Sequence, residues 1–143
     1  MDAALPRPGR SWWDVAPASL VEMLGSTAVD GWVPPWHRWF PAEDVAAELT
    51  DATTRRAVVA ELGRLPLAMF TEPAPEIPGW PDAPCGYLRL SGAYNDLLAD
   101  ARSHGWRTAS RDSTHLAPAG DPVTAADGLL GLLGLLGSPD PPN

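Results

Sequence analysis

The chain contains no lysine and a single cysteine, Cys85. One thiol excludes an intramolecular disulfide framework and a multi-cysteine zinc site. All ten basic residues are arginines, set against 18 Asp and Glu, for a formal charge of -8. Phosphate recognition needs clustered positive charge, so this balance argues against nucleic acid as a partner. No apolar run approaches the ~18 residues of a membrane span, and residues 1–10 lack the apolar stretch of a signal peptide. The expectation is a soluble cytoplasmic protein with no membrane partner. The three histidines, at 37, 104 and 115, lack ligand spacing and are joined by no acid cluster, so neither a metal nor another cofactor is expected.

What is present is enough apolar material for a core, 45% of 143 residues, which excludes a mainly disordered chain. The length is within the range of one domain. Proline, at 17 residues, is well over twice its usual share of about 5%. It clusters at 6–8, 34–41, 73–84 and 139–142, with globular patterning between.

Residues 1–14 read as an extended lead-in. Residues 17–25 form a short helix, with Leu20, Val21 and Leu24 on one side and Gly25 as its stop. Residues 30–40 form an aromatic loop, because adjacent prolines forbid a helix. Pro41 opens a helix with Glu43 and Asp44 favourably placed at its N-terminal dipole and Val45, Ala46 and Leu49 on its apolar face. Residues 51–62 give a second helix, with Val58, Val59 and Leu62 inward and Arg55 and Arg56 outward. Residues 65–70 suggest another helical turn, and 71–84, with five prolines, a connector. A buried strand is expected at 85–91, a helix at 95–104 stopped by Gly105, and a weaker strand at 107–111. Asp121 and Pro122 are a cap and first-turn pair for a last helix to about Leu136. Strand, helix, strand implies a parallel pair, which needs both faces covered and usually more strands.

Several pieces then align in order. Met1-Asp-Ala-Ala-Leu-Pro-Arg-Pro-Gly, a helical stretch at 11–82, Cys-Gly-Tyr-Leu-Arg-Leu-Ser (85–91), Ala-Arg-Ser-His-Gly-Trp (101–106) and Thr-His-Leu (114–116) before Asp121-Pro122 together resemble the C-terminal half of actinobacterial α/β-hydrolases of the esterase type. The resemblance covers nearly the whole chain. It implies a partial α/β-hydrolase fold: residues 1–10 as the end of a core strand and exit into a cap, 11–82 as the helical cap, 83–137 as a C-terminal β-α-β-α unit, and 138–143 as a disordered tail.

By the same resemblance His115 is the triad base, on a loop past a strand end where imidazole can reach a serine hydroxyl. On the residues alone it reads as a surface or capping histidine. Two acids stay open: Asp96, after the presumed seventh strand, and Asp2, at the end of the presumed sixth. Trp32, Trp36, Trp39 and Phe40 either line an apolar substrate pocket or pack the cap. Cys85 reads as a packing residue. The Leu-Leu-Gly repeat at 128–137 spreads leucines around its helix and reads as an irregular last helix or a partner-binding face.

The family's nucleophile sits in Gly-x-Ser-x-Gly on a strand-to-helix elbow, and its oxyanion donors lie beside that serine and in an earlier loop. None of the eight serines here has those flanking glycines. Met1 stands where the family has Val, and a lysine-free, Ala-, Gly-, Pro- and Arg-rich composition fits a GC-rich genome in which valine codons are read as starts. The expectation is therefore an N-terminally incomplete serine hydrolase, inactive alone, whose complete form cleaves a small apolar ester or amide. The alternative is a non-catalytic remnant or binding module that needs a homodimer or a complementing N-terminal half to finish its sheet.

Overall fold

The computed structural model describes residues 1–137; the tail expected at 138–143 lies outside the described residues. Among the described residues the chain is mixed α/β, with two two-stranded sheets. It divides into two compact units, residues 6–78 and residues 1–5 together with 79 onward.

The first unit opens on main-chain pairing. Gly9 N donates to Ala74 O and Ala74 N to Arg10 O, both at 2.9 Å, so the expected extended lead-in is tied to the 73–74 segment. Ser11 and Asp14 then form a reciprocal capping box that starts α1 (Trp12–Val15). Helix α2 (Ala18–Thr27) runs past Gly25, contrary to the expected stop. Leu24 is fully buried with Val33 and Phe70, and that burial outweighs the ~1 kcal/mol an interior glycine costs.

The aromatic loop holds more order than its prolines suggest. Asp30 and Gly31 both have positive φ, +51° and +76°, and Val29 and Trp32 exchange two main-chain bonds across them. This is the two-residue hairpin turn that Asp-Gly favours. It leads into β1 (Trp32–Val33), a 3₁₀ turn at Trp36–Arg38, and α3 (Ala42–Glu48), for which Pro41 is the cap instead of the first helical residue. Helix α4 (Ala52–Glu61) follows, capped by the Asp51 carboxylate on Thr54 N at 2.7 Å. Arg55 does not point outward: its guanidinium donates to the Leu49 carbonyl and to Thr50 O. The reason is the set of carbonyls left without intrahelical partners where α3 ends. No residue of α4 is fully buried, Val58 and Val59 included. Of the helical turn expected at 65–70, the first residues form β2 (Leu65–Pro66), antiparallel to β1, and the rest fall in the short helix α5 (Ala68–Thr71), which delivers Phe70 to the core.

The second unit is built on β3 (Gly86–Arg89). A 3₁₀ turn at Gly92–Tyr94 leads into α6 (Asn95–Ser103), and β4 (Arg107–Ser110) pairs parallel with β3, Leu88 opposite Ala109. Gly105, at φ +73°, closes α6 in a Schellman motif: its amide bonds Arg102 O and that of Trp106 bonds Ala101 O. Both faces of β3 are covered. Tyr87 packs with Leu98 and Ala101 of α6 and with Leu5, while Leu88 and Leu90 pack with Ala117, Ala125 and Leu132. The latter three come from α7 (Ala117–Gly120) and α8 (Pro122–Leu136), which Asp121 caps on Thr124 N at 3.2 Å.

Of the α8 glycines, Gly128 has a packing reason. A Cβ there would stand 2.9 Å from a Leu88 methyl, so its absence lets the helix lie close on β3. Among the described residues a Cβ on Gly134 would meet nothing within 4 Å. Leu130 and Leu133 face solvent, 66% and 60% exposed, so the leucines are split between the core and the surface. Among the described residues no helix is long and apolar enough to cross a membrane.

Two expectations follow. Gly134→Ala should raise the urea midpoint by a gain of ~0.5–1 kcal/mol from helix propensity. Gly128→Ala should lower it, because overpacking against Leu88 costs ~1–3 kcal/mol; equal gains for both would refute the close approach. The second concerns acid. The Ser11 main-chain and hydroxyl donors hold the Asp14 carboxyl below its usual 3.8, the Thr54 donors do the same for Asp51, and the Thr124 hydroxyl and amide for Asp121. Their folded values lie below the unfolded ones, so their stabilisation is fully present above ~3.8 and is lost as pH falls through the lowered values. Urea midpoints taken from about pH 5 to about pH 2 should fall less steeply when all three are Asn.

Candidate functional site

The C-terminal ends of a parallel strand pair collect loops, and in open parallel sheets these ends are where ligands bind. At this end of β3 and β4, two loops and the first residues of the chain meet. The loop after β4 is pinned to β3 by Arg111 N to Arg89 O at 2.8 Å and Ser113 N to Leu90 O at 2.9 Å. His115 lies on that loop, just ahead of α7.

Asp2 arrives from the other side of β3. Its amide donates to Leu88 O at 3.0 Å, beginning the pairing that a strand end at 1–10 would continue. The pairing stops there because Asp2 has φ +35°, outside the extended region, so among the described residues no strand forms at 1–10. The turn directs the carboxylate onto the end of β3. Oδ1 accepts from Leu90 N at 2.7 Å and Oδ2 from Ser91 N at 2.8 Å. The side chain is fully buried. Tyr87 braces the same segment: its hydroxyl donates to Ala3 O at 3.1 Å. Burial foremost, and then the charge of Asp2, pushes that phenol up to about 12, so it remains a neutral donor.

The structure brings Asp2 and His115 together. His115 Nδ1 lies 3.8 Å from Asp2 Oδ2, and the ring stacks on Tyr94 with centroids 5.0 Å apart at 14°. Among the described residues the buried Nδ1 has no hydrogen-bond partner, while 35% of the side chain is exposed. The separation is longer than a hydrogen bond, though it is the geometry of a pair that closes on a shift of under an ångström. Asp96 is elsewhere: it lies exposed in the first turn of α6, and among the described residues no ion pair joins it to His115. Nearby, Arg89 is largely buried and reaches the exposed Asp112 with both Nη1 and Nη2 at 3.1 Å.

The four aromatic residues of the 6–78 unit make separate contacts with different neighbours. Trp39 serves packing: its indole N–H donates to Pro34 O at 2.7 Å and its ring meets Phe70 edge-on at 6.0 Å. Trp36 and Phe40 lean on each other at 5.9 Å. Trp32 lies under the Arg64 guanidinium at 5.5 Å. Cys85 is half-buried at the head of β3, and among the described residues no group of three or more His, Cys, Asp or Glu could hold a metal ion.

Tyr94 was missed by sequence reasoning, since an aromatic residue three positions past a strand end carries no distinguishing pattern. No family model, curated protein or solved structure matches the chain.

The Asp2 carboxylate should be structural whatever else it does. Asp2→Ala orphans two amides, at ~1–3 kcal/mol each. We expect a loss of ~2–5 kcal/mol in urea unfolding, faster amide exchange at Leu90 and Ser91, and a smaller loss for Asp2→Asn, which keeps one acceptor. Unchanged exchange at both amides would refute the clamp.

Proposed function

We propose that this chain carries the acid–base half of a serine hydrolase of the α/β-hydrolase type, with Asp2 as the acid and His115 as the base. The observation that carries the reading is the buried carboxylate of Asp2 facing the buried Nδ1 of His115 at the C-terminal ends of a parallel strand pair. The order of elements supports it too: a strand, a helix, a parallel strand, the histidine loop, then a capped last helix. Of the two acids the resemblance left open, the geometry favours Asp2.

In this reading a serine hydroxyl meets Nε2 of His115. Nε2 takes the hydroxyl proton as the oxygen attacks an ester or amide carbonyl, while Asp2, across the ring, keeps Nδ1 protonated and the imidazole oriented. The C–O or C–N bond then breaks, and Nε2 returns the proton to the leaving alcohol or amine. Water attacks the acyl-enzyme in the same way, with His115 again as the base. The serine and oxyanion donors come from polypeptide outside these 143 residues, as a complementing N-terminal half bearing Gly-x-Ser-x-Gly. The chain alone is inactive toward simple esters. Its substrate class is a small ester or amide.

The test is activity-based labelling of the protein from its native host. A fluorophosphonate should label a Gly-x-Ser-x-Gly peptide in the same polypeptide or complex, and His115→Ala should lower labelling by ~10²-fold or more, the scale of a lost general base. A product of 15.2 kDa that takes no label, alone or in complex, would refute the hydrolase and leave a non-catalytic binding module.

A further inference from the structure

We propose that Tyr94 is a positioning residue for His115: its ring face holds the imidazole in the plane in which Nδ1 faces the Asp2 carboxylate. The inference deepens the hydrolase reading and rests on it for its catalytic meaning, but its structural content stands on this chain alone.

An imidazole on a loop can rotate about its last side-chain torsion, and a turn out of its present plane takes Nδ1 away from the carboxylate. A carboxylate 3.8 Å away is too far to hold the ring by a hydrogen bond. Something else must fix the plane. Tyr94 lies nearly parallel to the ring, 14° off, with centroids 5.0 Å apart, which is an offset stack and not an accidental edge contact.

Tyr94 is itself held from the same point that holds the acid. The Ser91 amide donates to Asp2 Oδ2 at 2.8 Å, the Ser91 carbonyl accepts from Tyr94 N at 3.1 Å, and the Ser91 hydroxyl accepts from Ala93 N at 3.3 Å. Acid and stacking face are therefore tied to one residue, three positions apart along one turn. The loop bearing His115 is tied to the neighbouring Leu90 through Ser113 N. Three groups from distant parts of the sequence are thus referenced to Leu90 and Ser91. With Nδ1 facing the carboxylate, the favoured neutral tautomer carries its proton on Nδ1 and leaves Nε2 as the free acceptor, the form a general base requires.

The experiment reads the tautomer directly, without serine or substrate. In the purified chain, ¹⁵N shifts of the His115 ring should report Nδ1–H, and its carbon-bound ring protons should be displaced upfield by the Tyr94 ring current. Tyr94→Phe, which keeps the face and removes the hydroxyl, should retain both. Tyr94→Leu should lose the upfield displacement and move the nitrogen shifts toward a mixture of the two tautomers. Amide exchange at Leu90 and Ser91 should stay as in the parent chain, showing that the clamp is intact. No upfield displacement in the parent chain, full retention of Nδ1–H in Tyr94→Leu, or its loss in Tyr94→Phe would each overturn the proposal. The hydrolase reading fails separately, by absence of fluorophosphonate labelling, so the two failures are distinguishable.

Discussion

A strand with a parallel neighbour on one side only has backbone amides to satisfy on the other. β3 is such a strand, and the residue that answers for its far edge is Asp2. One main-chain bond to Leu88 O begins a pairing, and the carboxylate finishes it by accepting from Leu90 N and Ser91 N. A short acidic side chain at a left-handed φ can do this because it reaches past the point where the chain has turned away. Aspartate also tolerates that backbone region better than most residues. The rest of the unit depends on this clamp. The turn after β3, the entry to α6 and the loop after β4 all take their positions from Leu90 and Ser91.

Burying a carboxylate is costly unless it is hydrogen-bonded, and two charge-assisted bonds from amides offset that cost. His115 Nδ1 stands 3.8 Å from the same Oδ2. The same carboxylate can thus be structural and electrostatic without conflict. In a triad the acid does not accept the proton; it holds the ring and stabilises the imidazolium that forms. A residue fixed by two amides is suited to that task, because its position does not depend on the histidine.

Local grammar carried most of the second unit. β3, α6, β4 and α8 fall within a residue or two of where apolar runs, Gly105 and the Asp121-Pro122 pair place them. The first unit was less legible, though two of its signals were present. Ser11 and Asp14 have capping-box spacing, and Asp30-Gly31 is the strongest short hairpin signal there is, but the surrounding prolines and tryptophans suggested an irregular loop. Gly25 misled in the opposite sense, since tertiary burial of Leu24 overrode its helix cost. Arg55 was unreadable for another reason: a charge that looks solvated in a helical pattern is drawn back by orphaned carbonyls of the preceding helix.

The candidate site was only half legible, and the missing half is nonlocal. His115 and both acids could be named from family resemblance, but nothing in a local pattern brings residue 2 to residue 115. That choice is made by the geometry of β3, whose far edge needs an acceptor and finds one in Asp2. Asp96 has no such call on it, because it lies exposed in the first turn of α6. The stacking of Tyr94 is a consequence of the same arrangement: once Ser91 is fixed by the acid, the turn that follows carries an aromatic face to the histidine. An edge that needs an acceptor thus fixes Asp2, and Asp2, through Ser91, is tied to the turn that carries the Tyr94 ring.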